Sequence, residues 1–529
     1  MKLKKNKIYI YDTTLRDGGQ TSFVDFTLKN KLDLANKLDD LGVDFIEAGW
    51  PGANPIDSEF FINKPKLKNA ELCAFGMTYR ASLSPQTDIG FKNLLDAKIG
   101  IVTLVGKSWD FQVKETLNIS LKQNIKLIEE SIKAIQASKK KVFFDAEHFF
   151  DGYKENSKYS IEVIEAAYLS GAEWIILCDT NGGSLPSEIY KICSKITELF
   201  PKANFGIHCH NDTGNAVANS LAAIDAGIRQ VQGTLNGLGE RCGNANLTTI
   251  IPTLKLKTNF DVAISDKNLK NLKTISNYLC DILNYPYDAY APYVGAAAFS
   301  HKGGLHASAM LKSAKSYEHI DPKLVGNSRN ILVSNQSGKA AITARLNDLD
   351  FKFPEAEINN LTKLVKSKEY EGFSYDLAGA SFALLAYRLA HKPKEFYNLE
   401  SYKVVNERRI NAKGEWVTTS DAVIKLTINN NKFVEVAEGN GPVAALDNAI
   451  RKILNKSYPQ LTNCKLTDYK VRILDSESAT SALIRVVIET SDNIGNRWIS
   501  IGVGTDIIAA SYLAIKDSID YVLLFGKGK

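Results

Sequence analysis

In the first half of the chain, short apolar runs alternate with longer stretches whose apolar residues recur at helical spacing. The short runs are Ile8–Tyr11, Asp44–Ala48, Glu71–Phe75, Ile99–Val105, Lys141–Asp145, Trp174–Cys178, Ala203–His208 and Gln230–Leu235. They read as strands spaced roughly 25 to 40 residues apart, as βα units require. The helical segments between them include Thr27–Leu41, Ile119–Ser138, Ser160–Ser170, Ser187–Phe200 and Gly214–Ala226. Gly42, Gly171 and Gly227 follow three of these, at the position where a helix usually turns out of its last carbonyls. Eight even strand–helix units predict an α/β fold built on a (β/α)8 TIM barrel over residues 1–274. A doubly wound open sheet is the alternative, but no GxGxxG follows the first strand.

The pattern changes twice further on. Residues 275–395 read as mostly helical linker subdomains, with the polar stretch Lys392-Pro393-Lys394 marking their end. Residues 396–529 return to strand-like alternation, in Asp421–Thr427 and Ala482–Thr490. There Phe433–Val436 leads through a glycine-rich turn to a helix at Val443–Leu454. Likewise Trp498–Ile501 leads through Gly502 and Gly504 to a helix at Ile507–Val522. This predicts a C-terminal α+β domain built from a duplicated strand–strand–helix unit. The turn Gly439–Pro442 either cradles a ligand or simply joins strand to helix.

Composition narrows the class. A net charge of +6, from 65 basic and 59 acidic residues, is small for 529 residues and argues against a nucleic-acid partner. The runs Lys2–Lys5 and Lys139–Lys141 read as solvated ends or loops. Seven cysteines, odd in number and without a CxxC pair, suit a reducing intracellular setting. The apolar run Ile8–Tyr11 is too short for a signal peptide, and no stretch is long enough to span a bilayer. The expectation is a cytoplasmic chain with no membrane partner.

In a TIM barrel the chemistry sits at the C-terminal strand ends. Those ends carry Asp12–Gln20, Glu47, Glu147-His148, Asp179-Thr180-Asn181, His208–Asp212 and Gly239–Asn244. His208 and His210, two apart on a strand, point to one face, while Cys209 points to the other. Two imidazoles and a carboxylate make a common divalent-metal set with open positions. Asp17 is a plausible carboxylate, because the first strand of a closed barrel lies beside the eighth and near the seventh. Asn244 can add a weaker oxygen. The set suits Mg²⁺, Mn²⁺, Zn²⁺ or Co²⁺ without choosing among them. His148, beside Glu147, should point away from the site if the strand continues.

The segments Asp12–Gln20 (DTTLRDGGQ), His208–Asp212 (HCHND), Gly237–Asn244 (GLGERCGN) and His301–Ser308 (HKGGLHAS) resemble the 2-isopropylmalate, homocitrate and citramalate synthase family. So do Ile320–Val325 and Ser337-Gly338-Lys339, and the likeness runs nearly the whole chain. Gly49–Pro55 and Ala146–Gly152 look like the citramalate branch. The resemblance implies an acyltransferase that joins acetyl-CoA to a 2-oxo acid, with pyruvate first and a larger acid as the alternative. A lyase or aldolase on the same barrel is the rival reaction, and the duplicated C-terminal domain argues against it.

The resemblance also implies roles. Asp17, His208 and His210 would bind the metal (Mg²⁺ or Mn²⁺ foremost), with Asn244 close by. Arg16 and Thr180 would hold the 2-oxo acid, and Glu147 would lie near the reacting centre. His306 and Tyr317 would reach the site from the middle segment, which in similar enzymes can come from the partner subunit of a dimer. His301 competes with His306 for the role of base. Leu104 and Met77 are candidates for the pocket lining. The C-terminal domain resembles a feedback domain for a branched-chain amino acid, isoleucine being expected if the product feeds isoleucine synthesis.

Overall fold

A computed structural model describes residues 6–526 apart from 303–305, 307–308, 311, 335, 350, 352, 377, 393–394, 476–480 and 494–495. The described residues divide into two compact units. One runs through Phe299 and takes in Ile320–Arg329, and the other holds Ser300–His319 and the chain from Asn330 onward.

The first unit is the expected barrel. Its parallel strands are β1 (Tyr9–Asp12), β2 (Phe45–Glu47), β3 (Glu71–Met77), β4 (Ile101–Lys107), β5 (Lys141–Glu147), β6 (Trp174–Asp179), β7 (Phe205–Cys209) and β8 (Gln230–Gly233). They close in sequence order, with β1 pairing β8 from Tyr9↔Gln230 to Asp12↔Gly233. All eight predicted runs are strands. Helices Leu28–Leu41, Leu121–Ala137, Pro186–Leu199 and Ala216–Asp225 match the expected segments within a few residues. Gly42, Gly171 and Gly227 all have positive φ, as their place after a helix demands. The segment expected at Ser160–Ser170 belongs to the second part of a helical stretch Phe149–Leu169 that is kinked at Asn156 (φ −145°, ψ 74°).

Strand alternation separates two cores. Residues facing outward, such as Ile8, Ile10, Leu104, Phe144 and Cys209, pack beneath the helices. Inward-facing Tyr9, Phe45, Ile101, Phe143 and Trp174 form an aromatic plug in the barrel, with Phe45 and Phe143 edge to face at 5.1 Å. Two residues further along these strands the inward positions turn polar: Phe45 gives way to Glu47, Ile101 to Thr103 and Phe143 to Asp145. On β7 Gly206 is followed by His208, and on β8 the inward positions Gln230 and Gln232 are both polar. The change from oil to polar groups along one barrel axis places the chemistry at the C-terminal rim.

The second unit contains helices Lys339–Asp348, Ile358–Tyr370 and Gly379–Ala390, then two sheets. The expected strand–strand–helix repeat is corrected to three antiparallel strands and a helix. Strands Asn398–Ile410, Trp416–Ile428 and Asn431–Gly439 precede helix Pro442–Ser457. Strands Lys465–Ile473, Ile484–Ser491 and Arg497–Gly504 precede helix Ile507–Phe525. The first strand of each sheet, largely exposed and reaching the core through Leu399, Tyr402 and Val404 or through Leu466 and Tyr469, is the one missing from the expected unit. The duplication holds at the strand ends: Gly439 and Gly504 each close the third strand and stand three residues before the first helical residue, Pro442 and Ile507. Residues 393–394 of the polar stretch and part of His301–Ser308 lie outside the described residues. Among the described residues, no helix is long and apolar enough to cross a membrane.

Candidate active site

Backbone geometry builds the site before any side chain is considered. After β1 the chain turns back on itself: the amides of Arg16, Asp17 and Gly18 all converge on the Thr13 carbonyl, and Thr13 N donates to Gly233 O at 2.8 Å. Buried Asp12 fastens this turn by accepting from Thr14 N and Thr14 Oγ1, both at 2.9 Å. Burial pushes the Asp12 carboxyl up to about 7, against the pull of those two bonds. Beyond β7, His210 pairs with Asn244, flanked by bonds from Asn211 N to Gly243 O and from Ala245 N to Cys209 O. This bridge brings the loop after β8 against the HxH pair.

Asp17, His208 and His210 each present a ligand atom, all within 4.8 Å of one another and all buried. His208 Nε2 lies 3.2 Å from Asp17 Oδ2. Burial opposes charge on Asp17, yet neighbouring Arg16 and His208 hold its carboxyl well below the usual carboxylate range. Burial lowers the His208 pKa, but Asp17 overrides it and the net shift is upward. His210, buried and next to His208, is pushed down to about 4, so it is a neutral ligand at ordinary pH. Its Nδ1 is buried without a hydrogen-bond partner. Three mutually close donors, one of them carrying an orphaned nitrogen, fit a divalent cation.

Asn244 stands beside these donors with its amide turned the other way from the sequence expectation. Nδ2 donates to Asp17 Oδ2 at 2.9 Å, while Oδ1 is buried against Gly239 with no partner. The nitrogen faces Asp17 because a carboxylate there attracts a donor. Exchange of the two ends of the amide would offer the oxygen instead.

Arg16 is held on three sides. Its Nε donates to Glu47 Oε2 at 2.5 Å, Nη1 lies 3.5 Å from Asp17 Oδ2, and the guanidinium covers the Phe75 ring at 3.9 Å. Burial works against its charge, but Glu47 and Asp17 outweigh burial and keep it firmly protonated. Glu47, fully buried, also accepts from Tyr11 OH at 2.9 Å. The sequence named Glu47 as a strand end without a role; the inward register of β2 is the signal that would have given it one.

These groups border a cavity of about 570 Å³, lined among others by Trp50, Phe75, Met77, Val105, Glu147 and Thr180. Met77 therefore lies where expected. Leu104 does not: it faces the helices, and its neighbour Val105 takes the inward place. Glu147 pairs with Lys107 of β4. Thr180 Oγ1 accepts from the His148 backbone N–H at 2.8 Å, which leaves its own hydrogen to donate. β5 ends at Glu147, so the strand does not continue through His148; that residue turns into the next helix with φ 58°, and its ring lies 3.5 Å from Asp151 and beside Trp109. His306 and Tyr317 belong to the second unit, where their rings stack with centroids 4.1 Å apart. His301 there faces Glu318 at 3.5 Å.

A closed βα barrel with an Asp–His–His donor cluster and a clamped arginine at its C-terminal rim defines a class: a TIM-barrel enzyme whose rim carries a donor set that could hold a divalent cation. Residues 7–279 match the HMGL-like family, 293–372 the homocitrate synthase post-HMGL domain-like family, and 376–523 the LeuA allosteric (dimerisation) domain. The chain is 46% identical to the (R)-citramalate synthase of Aquifex aeolicus over 98% of each chain. It is 44% identical to that of Geobacter sulfurreducens, over 98% of this chain and 97% of the other. Identity to the 2-isopropylmalate synthase of Pseudoalteromonas atlantica is 30%, over 96% of this chain and 95% of that one. The chain belongs to this family of acyl-transferring synthases, on its citramalate branch.

Proposed function

We propose that the chain condenses acetyl-CoA with pyruvate and water to give citramalate and CoA, a step toward isoleucine through 2-oxobutanoate. The observation that carries this reading is the donor cluster Asp17–His208–His210 with the partly buried Arg16 guanidinium 3.5 Å from its aspartate. A divalent cation, Mg²⁺ or Mn²⁺ foremost, would chelate the 2-oxo acid there and polarise its keto group. Arg16 faces the cavity with donors left over after Glu47 and Asp17, and stabilises negative charge growing on the keto oxygen. Thr180 donates to the substrate carboxylate, its acceptor side being taken by the His148 amide. Glu147 stands at the same cavity wall, near the reacting centre.

His306 is the proposed base. It takes a methyl proton from acetyl-CoA, and the resulting enol carbon attacks the keto carbon. Water then hydrolyses the thioester and CoA leaves as the thiol. Its stacking on Tyr317 supports the two acting as a pair. The LeuA-type domain supports a homodimer and a branched-chain amino-acid effector, isoleucine first.

The test is CoA release from acetyl-CoA with pyruvate, 2-oxoisovalerate and 2-oxoglutarate in parallel. Preference for pyruvate is expected, and preference for a larger acid would move the chain to another branch. His306→Ala should lose turnover while still binding Mn²⁺ and pyruvate; near-normal kcat would remove His306 from the mechanism.

A further inference from the structure

We infer that Gln232 is a positioning residue for the metal centre: its side-chain amide, braced by Asp145, dictates which nitrogen of His208 carries the hydrogen and which is left to bind a cation. The inference rests on the proposed metal centre and deepens it. Gln232 is fully buried on β8, where the barrel register sets it beside His208 of β7 and Tyr11 of β1. Its Oε1 lies 2.8 Å from His208 Nδ1, and its Nε2 lies 3.3 Å from Asp145 Oδ1 on β5.

As a carboxylate Asp145 can only accept, and that fixes the polarity of the row: Gln232 turns its NH₂ toward it. The amide oxygen then faces the imidazole and can only accept, so Nδ1 must bear the hydrogen. The lone pair of neutral His208 is thereby fixed on Nε2, the atom 3.2 Å from Asp17. Metal-binding histidines commonly give their second N–H directly to a carboxylate or carbonyl. Here an amide stands between, and the carboxylate sits one step back. The partner nitrogen arrangement of His210 differs, since its Nδ1 has no hydrogen-bond partner. The two imidazoles are therefore unequal: β8 orients one in advance, and the other has no such brace.

The experiment titrates Mn²⁺ into the full-length chain by calorimetry, with bound Mn²⁺ counted by electron paramagnetic resonance. Gln232→Leu keeps the bulk and removes the relay, and its Mn²⁺ Kd is expected to rise roughly 10–100-fold. Gln232→Glu alone sets two carboxyls against each other. Paired with Asp145→Asn, the row is rebuilt, because the new asparagine donates and the introduced carboxylate accepts from both neighbours. The pair should return Kd to within about threefold of the unaltered chain, as expected if the ligand's hydrogen-bond partner and not the residue type matters. Far-UV circular dichroism checks folding; if Gln232→Leu does not fold, Gln232→Glu against the double variant decides alone. A Gln232→Leu Kd within threefold of the unaltered value, or a double variant no better than Gln232→Glu, overturns the inference. Failure of the unaltered chain to bind Mn²⁺ would instead sink the metal centre, and this inference with it.

Discussion

Arg16 is clamped by a carboxylate, a ring face and the aspartate next to it in sequence, and two of these contacts use what lysine lacks: an Nε–H for Glu47 that leaves the terminal nitrogens free, and a delocalised face for Phe75. Arg16→Lys should therefore lower kcat/KM for pyruvate by roughly 10²–10³-fold, the usual cost of losing one aligned donor to a developing oxyanion. Steady-state CoA release checks this. His208 supplies a pH prediction with a definite sign. A cation needs the Nε2 lone pair, and Asp17 raises the pKa of that ring. Metal affinity should fall with decreasing pH from a point above that of an ordinary histidine, about 6.5. His210, at about 4, adds a second loss only in stronger acid. Mn²⁺ titrations at a series of pH values give the profile. Asp17, His208 and His210 were legible from residue type and strand spacing. Asp145 and Gln232 were not, because a buried amide and a buried carboxylate have no signature until register shows what they face.

Secondary structure was read most faithfully where burial on both faces makes a short, nearly continuous apolar run, as in β1 to β8. Parity alone sends Cys209 outward and His208 inward, and the structure agrees. The same rule corrects Leu104: one step along β4 exchanges the cavity for the helix layer. The exposed strands Asn398–Ile410 and Lys465–Ile473 went unread, since a bulge in each, at Leu399/Ser401 and Leu466/Asp468, breaks the period-two spacing of the few residues that reach the core. Loops offer a sharper test. Gly239 has φ 155°, and a Cβ there would come 2.3 Å from Asn244 Oδ1. Gly239→Ala should displace Asn244 and weaken Mn²⁺ binding by roughly tenfold or more, on the scale of losing a supporting contact at a metal ligand. A change in melting temperature with unaltered Mn²⁺ Kd would show that the glycine serves the loop alone.

At the scale of the molecule, the apolar cores are complete without an ion. The barrel's aromatic plug and helix layer contain none of the proposed ligands. Chelation should therefore abolish turnover while leaving far-UV circular dichroism unchanged. Stability should fall only by mass action, about 2.7 kcal/mol from a starting Mn²⁺ concentration of 100 times Kd. Thermal melts with and without a chelator measure it.

Ring closure has one more consequence, and it concerns time. Asp17 meets Asn244 across 227 residues of chain, and it meets His208 only because β1 seals against β8. Such distant pairings form late in folding, after local helices and hairpins. A nascent polypeptide emerging from the ribosome has no grip for a cation until its last barrel strand is out. In stopped-flow refolding, Mn²⁺ capture should lag the recovery of helical signal and so act as a clock for the final seam.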